Sequence, residues 1–460
     1  MTTFYEAINF ILKGKGGEWN DSEFAHIRIS KIDYKKFGGE QMTKVTRRQF
    51  IQGSIGGVAA ASLFSTIGRP FVFAQTKEPI KVGYLEPMTG IFASLGIGML
   101  KGAELAEKHI NASGGIMGRP VKVLIDDEEN KTEVAARKAR RMILEEGAIA
   151  IHGSASTGVT ISLCEVAKRN GVIHFDYEMD GTSVYAAMHK LAFRIGCDAP
   201  APVRAIVKAF SQKYPNIKKW AALVPDYGWG YDCWDLFDEG VKNWMKGVET
   251  IKIVHPLGCS DFSPYILKIT EAQPQALISF AWSGDMITFL KQAKPYGIYK
   301  KIVGAHYGHI VDICSALKND MEEIWTGLDS GYPALPSAIN FSRQYKKEMG
   351  EWPPTDYTAC YYDSLWVLKQ AIEKARSTKP EDIAKAMEGL TFEGKGAGWL
   401  HIRATSHIAD KKVFYIGKLA PSKEFPYFIA KDLIEVPGNE ATVTDEELKT
   451  KYKCPFPYKE

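Results

Sequence analysis

Hydroxyl, carboxyl and aromatic side chains concentrate in five short segments, and each segment directly follows a predicted β-strand. The segments are 152–157, 176–180, 225–229, 281–285 and 304–309. In the first, Ser154, Ser156 and Thr157 precede a predicted helix, where free backbone N–H groups and hydroxyls can hold a polar group. Helix capping by the same hydroxyls is the alternative, and both roles are compatible.

Carboxylates and aromatic rings occupy the other segments. Tyr177, Glu178 and Asp180 follow one predicted strand, and the two acids either accept hydrogen bonds from a small molecule or cap the next helix. Aromatic rings at strand ends suit a flat apolar ligand, or else they pack between two domains. The rings in question belong to Tyr227, Trp229, Tyr231 and Trp282.

Catalytic and metal-binding motifs are absent from the sequence. Gly96-Ile97-Gly98 does not continue as a dinucleotide-binding GxGxxG, and no GxxxxGK[ST], HExxH or GxSxG occurs. His306 and His309 are three residues apart but have no further ligand at metal-site spacing. The seven cysteines are scattered without a CxxC pair, which favours buried thiols over a zinc site. We therefore expect no cofactor and no bound metal.

The elements that position these segments alternate between strands and helices. A strand at 80–85 precedes a helix at 94–111, whose buried stripe consists of Met99, Ala103, Ala106 and Ile110. The alternation continues to residue 175 and begins again after residue 194, including a strand at 301–303. This order predicts an α/β fold of two doubly wound units with largely parallel sheets. Ligands of such sheets bind beyond the carboxyl ends of the strands.

Charge and hydropathy limit the class of protein. The chain has 460 residues with 58 Lys and Arg against 54 Asp and Glu. Residues 1–74 contain ten of the basic and six of the acidic residues, which leaves 48 of each sign in the remainder. A neutral body gives no electrostatic reason to expect a nucleic-acid partner. After residue 74 no apolar run approaches the roughly 18–20 residues that span a bilayer.

The amino-terminal segment resembles a twin-arginine (Tat) signal peptide. Arg47 and Arg48 precede a weakly apolar, glycine-rich stretch at 50–67, and Val72 and Ala74 supply the small residues that a signal peptidase recognises. We expect a signal over 42–74 with cleavage after Ala74, and a non-native or disordered extension over 1–41. A membrane anchor is the alternative. The mature protein is then expected to be exported and soluble in the periplasm.

Several sequence blocks are similar to those of type 1 periplasmic binding proteins, and most of all to the leucine/isoleucine/valine-binding family of ABC importers. The similarity covers about residues 78–430. The blocks are Pro87-Met88-Thr89-Gly90, Gly102–Ala106, Ile110-Asn111-Ala112-Ser113-Gly114-Gly115-Ile116, Gly153–Val159, Asp226–Gly230 and Asp261–Pro264.

The resemblance implies two Rossmann-like lobes that are joined by a three-crossing hinge and close on a ligand. The crossings are expected near Ile195, Gly327 and Trp399. The first lobe then comprises 76–195 and 327–398, and the second comprises 196–326 and 399–460.

The resemblance also implies pocket roles for individual residues. Thr157, or its neighbour Ser156, matches a ligand contact from the first lobe, and Glu178 and Asp180 match positions that hold a ligand carboxylate. Trp229 and Trp282 match aromatic positions of the second lobe. His306 stands where amino-acid binders carry an acid for the ligand ammonium. This exchange disfavours leucine, isoleucine and valine, because an ammonium group needs an anionic partner.

The implied function is that of an extracytoplasmic solute-binding subunit, with an ABC permease and ATPase as membrane partners and a small organic solute as ligand. We expect an aromatic, cationic or amide-like solute and no enzymatic turnover. A ligand-sensing receptor of the same fold is one alternative, and a Tat-exported redox enzyme is another.

We predict that export depends on the Arg47–Arg48 pair, because a twin-arginine receptor recognises paired guanidinium groups rather than charge alone. Replacing both residues with lysine is expected to abolish the processed form that begins at Gln75, which N-terminal sequencing of periplasmic extracts measures. Undiminished processing of the double variant would contradict the assignment.

Overall fold

A computed structural model describes residues 78–196, 198–328 and 331–458. All of them belong to one unit of the chain, Gln75–Glu460. The predictions for Arg47, Arg48 and the cleavage after Ala74, and for the segments 1–41 and 42–74, lie outside the described residues. In the described part, no helix is long and apolar enough to cross a membrane.

The described residues form fifteen strands and fourteen α-helices. The strands are β1 Ile80–Glu86, β2 Val121–Asp127, β3 Ala150–His152, β4 Ile173–Asp176, β5 Ala192–Arg194, β6 Lys219–Pro225, β7 Glu249–His255, β8 Ala276–Ser279, β9 Val303–His306, β10 Trp325–Leu328, β11 Thr391–Glu393, β12 Trp399–Ile402, β13 Ala409–Asp410, β14 Val413–Ala420 and β15 Ile429–Pro437. The helices are α1 Ala93–Ala112, α2 Thr132–Leu144, α3 Thr157–Asn170, α4 Pro200–Lys213, α5 Gly228–Trp244, α6 Ser263–Ala272, α7 Ser283–Ala293, α8 Ile298–Lys301, α9 Val311–Leu317, α10 Pro336–Met349, α11 Tyr357–Ala375, α12 Pro380–Met387, α13 Gly438–Ala441 and α14 Asp445–Thr450.

The first lobe is built on a five-stranded sheet with the order β2-β1-β3-β4-β5. All of its pairs are parallel. Helix α1 covers this sheet with the stripe that the sequence predicts, since Met99, Ala103, Ala106 and Ile110 are fully buried. Helix α11 packs along α1 and so belongs to the same lobe.

The second lobe is built on a seven-stranded sheet with the order β15-β14-β10-β9-β8-β6-β7. Strands β7, β6, β8, β9 and β10 repeat the order of the first sheet in parallel pairing, and the hairpin of β14 and β15 adds an antiparallel edge. The predicted α/β fold of two doubly wound lobes is confirmed. The strand predicted at 301–303 begins at Val303 instead, because residues 298–301 form the short helix α8.

The chain passes between the lobes in three places. It leaves the first sheet after Arg194 at the end of β5, and it leaves the second sheet after Leu328 at the end of β10. It re-enters the second sheet between Asp410 and Val413, so the third passage lies downstream of Trp399, which is part of β12. The exact limits of the two lobes remain predictions.

A buried arginine fixes the strand ends beside the first passage. The Arg194 guanidinium contacts the Asp176 carboxylate and lies 2.6 Å from Asp180 and 2.7 Å from Asp198. All four side chains are at most 2% exposed. Arg194 also donates to the Glu178 carbonyl at 3.2 Å. One positive side chain therefore pairs with three buried acids and holds the segment after β4 in place.

We predict that Arg194→Met destabilises the protein by about 3–5 kcal/mol, because breaking a buried ion pair from one side leaves uncompensated charge. Thermal and urea denaturation at pH 7 measure the loss. Arg343→Met is the control: its partner Glu424 lies 2.9 Å away on the surface, so a loss of at most about 1 kcal/mol is expected. Equal losses in the two variants would contradict a positioning role for Arg194.

Candidate functional site

A cavity lies where the carboxyl ends of the two parallel sheets face each other. The free space inside it is about 20 Å³, enough for about one water molecule, so a solute enters only when the lobes or the lining side chains move apart. Both lobes contribute segments that follow β3, β4, β6, β8 and β9. The lining residues are Leu95, Ala155, Thr157, Glu178, Met179, Tyr227, Trp229, Trp282, Ser283, Tyr307, His309, Asp312 and Tyr357.

Five of the residues predicted from the sequence line this cavity. They are Thr157 and Glu178 from the first lobe and Tyr227, Trp229 and Trp282 from the second. The other four predicted residues do not line it, namely Ser156, Tyr177, Asp180 and His306. The structure therefore brings five of the nine predicted residues together at this cavity, and their contact with a ligand remains a prediction.

Thr157 opens helix α3 and ties together two segments of the first lobe. The Gly181 N–H donates to Thr157 Oγ1 at 3.0 Å. Ser156 precedes the helix without a capping bond from its side chain, so capping does not explain its hydroxyl. The preceding Ala155 N–H donates to a Glu86 carboxylate oxygen at 3.0 Å. Side chains from β1 and α3 thus hold the backbone that faces the cavity.

Glu178 brings a carboxyl group to the cavity wall and shares a hydroxyl with a second buried acid. The Tyr361 hydroxyl contacts the carboxyl oxygens of both Glu178 and Glu86. One O–H group donates to one acceptor only, so the second contact requires a proton on one carboxyl group. Burial is the main cause that raises the pKa of Glu178 to about 8. At neutral pH this group is therefore able to donate as well as accept a hydrogen bond.

Three of the predicted residues lie away from the cavity lining and contact other groups of the protein. Asp180 pairs with Arg194 at 2.6 Å and is not directed to the cavity. The Tyr177 hydroxyl accepts from Lys411 Nζ at 2.6 Å. His306 is the last residue of β9 and is buried in the sheet, where its Nε2 lies 3.0 Å from the Ala281 carbonyl and its Nδ1 accepts from Gly308 N–H at 3.3 Å.

His306 is consequently a neutral structural residue. A carbonyl oxygen only accepts, so Nε2 carries the proton and Nδ1 is the acceptor. Burial lowers the pKa of His306 to about 4. The ring makes hydrogen bonds to backbone groups on both sides. It is neutral and lies outside the cavity lining, so it does not act there in place of an acid.

The aromatic walls are fixed by hydrogen bonds at their polar atoms. Trp229 Nε1 donates to the Phe280 carbonyl at 3.2 Å, and Trp282 Nε1 donates to the Tyr227 hydroxyl at 2.9 Å. Trp282 also stacks on Phe92 of the first lobe, with ring centroids 3.8 Å apart and planes within 15°. Because the indole N–H groups are already engaged, these rings offer a ligand their faces and edges.

Sequence reasoning missed several residues of the cavity wall. Tyr307 and His309 follow β9 inside the segment 304–309, and His309 stacks on Tyr357 at a centroid distance of 3.6 Å. Tyr357 begins α11, some 50 residues farther along the chain, and no local pattern points to it. Asp312 belongs to the first turn of α9, three residues beyond the segment.

The lining carries acids and no strong base. Glu178 and Asp312 are its carboxyl groups, and neither lysine nor arginine is among the described residues that line the cavity. Burial, together with the charge of Asp356, raises the pKa of Asp312 to about 7. Within the described ranges, no group of three or more His, Cys, Asp or Glu side chains is arranged to hold a metal ion.

Comparison with known proteins gives one family. A family model described as periplasmic binding protein matches residues 79–422. A Leu/Ile/Val-binding protein homologue 7 of Brucella abortus is 26% identical over 340 residues, which are 70% of this chain and 84% of that protein.

Solved structures share the fold. A solute-binding protein of an ABC transporter from Rhodopseudomonas palustris BisB5, in complex with 3,4-dihydroxybenzoic acid, superposes with a TM-score of 0.71 at 22% identity over 80% of this chain and 99% of that one. The leucine-binding protein LivK of Thermotoga maritima gives a TM-score of 0.67 at 20% identity over 77% and 98%.

We predict that Gly284→Ala impairs closure of the two lobes. A Cβ at this position of the second lobe would lie 2.7 Å from the Ile91 carbonyl oxygen of the first lobe, and overpacking of this kind costs about 1–3 kcal/mol. Small-angle scattering with a solute that stabilises the wild type is expected to give a larger radius of gyration for the variant. Gly228→Ala is the control, since its Cβ would meet nothing within 4 Å. Equal compaction of both variants would contradict the contact.

Proposed function

This chain belongs to the periplasmic binding protein family, and from that premise we propose that it is the extracytoplasmic solute-binding subunit of an ABC importer. It holds a small organic solute between its lobes and delivers it, chemically unchanged, to a membrane permease that is driven by an ATPase. Its place of action is the periplasm, which it reaches through the proposed twin-arginine signal and cleavage after Ala74.

The main support for the proposal is the aromatic cavity between the lobes. Trp282 of the second lobe stacks on Phe92 of the first, and His309 stacks on Tyr357 in the same manner across the lobes. A molecule in the cavity contacts both lobes at once, so its binding energy favours the closed state over the open one. This is the physical requirement for a receptor whose closed form is presented to a permease.

The ligand class that fits this wall is an aromatic, cationic or amide-like solute. Rings of Tyr227, Trp229, Trp282, Tyr307 and Tyr357 surround the space, and each good ring contact contributes roughly 0.5–1.5 kcal/mol. An aliphatic amino acid needs an acid for its ammonium and neutral donors for its carboxylate. His306, the residue expected in the position of that acid, does not line the cavity, so the argument against leucine and valine rests on the aromatic wall, which fits a flat solute better than an aliphatic side chain.

An aromatic carboxylic acid is a second candidate within the same function. The Rhodopseudomonas palustris protein of the same fold is in complex with such an acid. The high pKa of Glu178, about 8 through burial, favours this candidate, because a protonated carboxyl donates a hydrogen bond to a ligand oxygen. The absence of lysine and arginine from the described lining residues argues against it.

Sensing and turnover are the competing functions. A sensing receptor of this fold would use the same cavity, and the identity of its membrane partner distinguishes it from a transport subunit. Hydrolytic turnover needs a nucleophile that is hydrogen-bonded to a base. The Ser283 hydroxyl lines the cavity but has no such partner among the described residues, so binding without reaction is the better supported function.

We predict micromolar or tighter binding of at least one aromatic, cationic or amide-like solute, and no binding of leucine or valine at that level. Calorimetric titration of refolded, ligand-stripped protein measures both. Trp282→Ala is expected to weaken the bound solute at least about tenfold (~1.4 kcal/mol) because a stacking face is lost.

The control and the contrary results are equally specific. Trp244→Ala removes a partly exposed indole at the end of α5 and is expected to leave affinity within about twofold. Micromolar binding of leucine with aromatic and cationic solutes inert would overturn the ligand class. Protein-catalysed disappearance of the bound solute would overturn the function itself.

A further inference from the structure

Asp312 is a buried acid in the cavity that the described protein does not satisfy. It is 6% exposed, and neither of its carboxyl oxygens has a hydrogen-bond partner among the described residues. The Ser283 hydroxyl and the backbone N–H groups of Asp312 and Ile313 lie near enough to lower the pKa of Asp312, but their geometry falls short of a hydrogen bond to its carboxyl oxygens, and Ser283 is 1% exposed. Two unsatisfied polar groups thus border the same space.

An ionised carboxylate in such a place requires a positive partner, because burying an unpaired charge is strongly unfavourable. The neighbouring protein groups Asp356 and Glu178 are acids, so they are not the positive partner that Asp312 needs. The charge of Asp356 acts on Asp312 and raises its pKa, and Glu178 is the second acid of the lining. The buried guanidinium of Arg194 is already shared by three aspartates.

The rings near Asp312 complement a positive charge rather than a negative one. Trp229, Trp282, Tyr227 and Tyr307 line the same cavity, and aromatic faces attract cations through their quadrupole. Both indole N–H groups are engaged with protein acceptors, so they are not available as donors to an anion. A negative ligand would meet two carboxyl groups and no lysine or arginine of the described lining.

We propose that the solute is a small organic ammonium ion and that Asp312, together with the Ser283 hydroxyl, holds its charged nitrogen against these rings. The inference rests on the proposed function and narrows its ligand class from aromatic, cationic or amide-like to cationic. It also replaces His306 as the position that meets the charge of the ligand, since the unsatisfied acid lies six residues later in the chain at the start of α9.

The test compares ligands that differ in charge and share their shape. One series is benzylamine, benzyl alcohol and benzoate, and the other is choline and its uncharged isostere 3,3-dimethylbutan-1-ol. Thermal shift and calorimetry are run at pH 8, above the pKa of about 7 of Asp312. At least one of the cations is expected to bind tenfold or more tightly than its neutral isostere, and benzoate is expected to bind most weakly.

Asp312→Asn keeps the size of the side chain and removes its charge. This variant is expected to lose at least tenfold in affinity for the cation and to bind the neutral isostere within about twofold of wild type. Asp320→Asn is the control, because Asp320 is an acid in the same stretch whose side chain is 80% exposed. It is expected to change neither affinity.

The ligand-free proteins give a second readout that does not depend on the choice of probe. If Asp312 is reserved for a ligand, Asp312→Asn relieves an unpaired buried charge, and at pH 8 the melting temperature rises by about 1–3 °C. A fall in melting temperature would show that the carboxylate serves the fold and would overturn the inference.

The binding outcomes separate this inference from the function on which it rests. Benzoate binding more tightly than benzylamine, with full affinity retained in Asp312→Asn, would overturn the inference and leave the solute-binding function intact. If other solutes bind but neither benzylamine nor choline does, the inference is likewise overturned and the solute-binding function is not. If no solute of any charge binds, the proposed function fails and the inference fails with it.

Discussion

Parallel pairing places the carboxyl ends of all strands in a sheet at one edge, and the site depends on two such edges facing each other. The five parallel strands have the same order in both sheets, and the side on which the next strand is added changes between β1 and β3 and again between β6 and β8. Segments that diverge at such a change of side leave a crevice between them. The segments at Ala155–Thr157 and at Tyr227–Trp229 enter the cavity for this reason.

Buried charged groups decide which of these segments are held by protein contacts and which are left to contact a ligand. Arg194 and its three aspartates hold the backbone after β4. The Tyr361 hydroxyl contacts both Glu86 and Glu178, and Glu86 in turn accepts from the Ala155 N–H after β3. In both clusters every acid has a charged or hydroxyl partner in the protein. Asp312 is different because no described group completes it, which is why the second lobe is where we place the contact with ligand charge.

Local patterns predicted most of the framework. Alternating apolar periodicities identified the strands and the buried stripe of α1, and the blocks around Asn111 and Gly153 indicated the family. Strand-end reasoning also located Thr157, Glu178, Tyr227, Trp229 and Trp282 at the cavity. These features depend on interactions close in sequence, or on a strand order that the fold class already implies.

The remaining residues depend on contacts between distant parts of the chain. Tyr357 and Tyr361 reach the first lobe through α11, which packs on α1, and nothing near them in sequence marks a site. Asp180 was expected to face a ligand because its buried partner Arg194 could not be inferred from spacing. His306 was misplaced because β9 begins later than predicted, so the residue lies inside the strand.

Native mass spectrometry of the protein isolated from periplasm, compared with the same sample after acid denaturation, is the sharpest test of a solute-binding function. We expect one noncovalently bound small organic molecule, which is released by unfolding and keeps its mass during incubation with the protein. The mass of the polypeptide alone from every growth medium, or a bound species that is converted into another, would contradict that function.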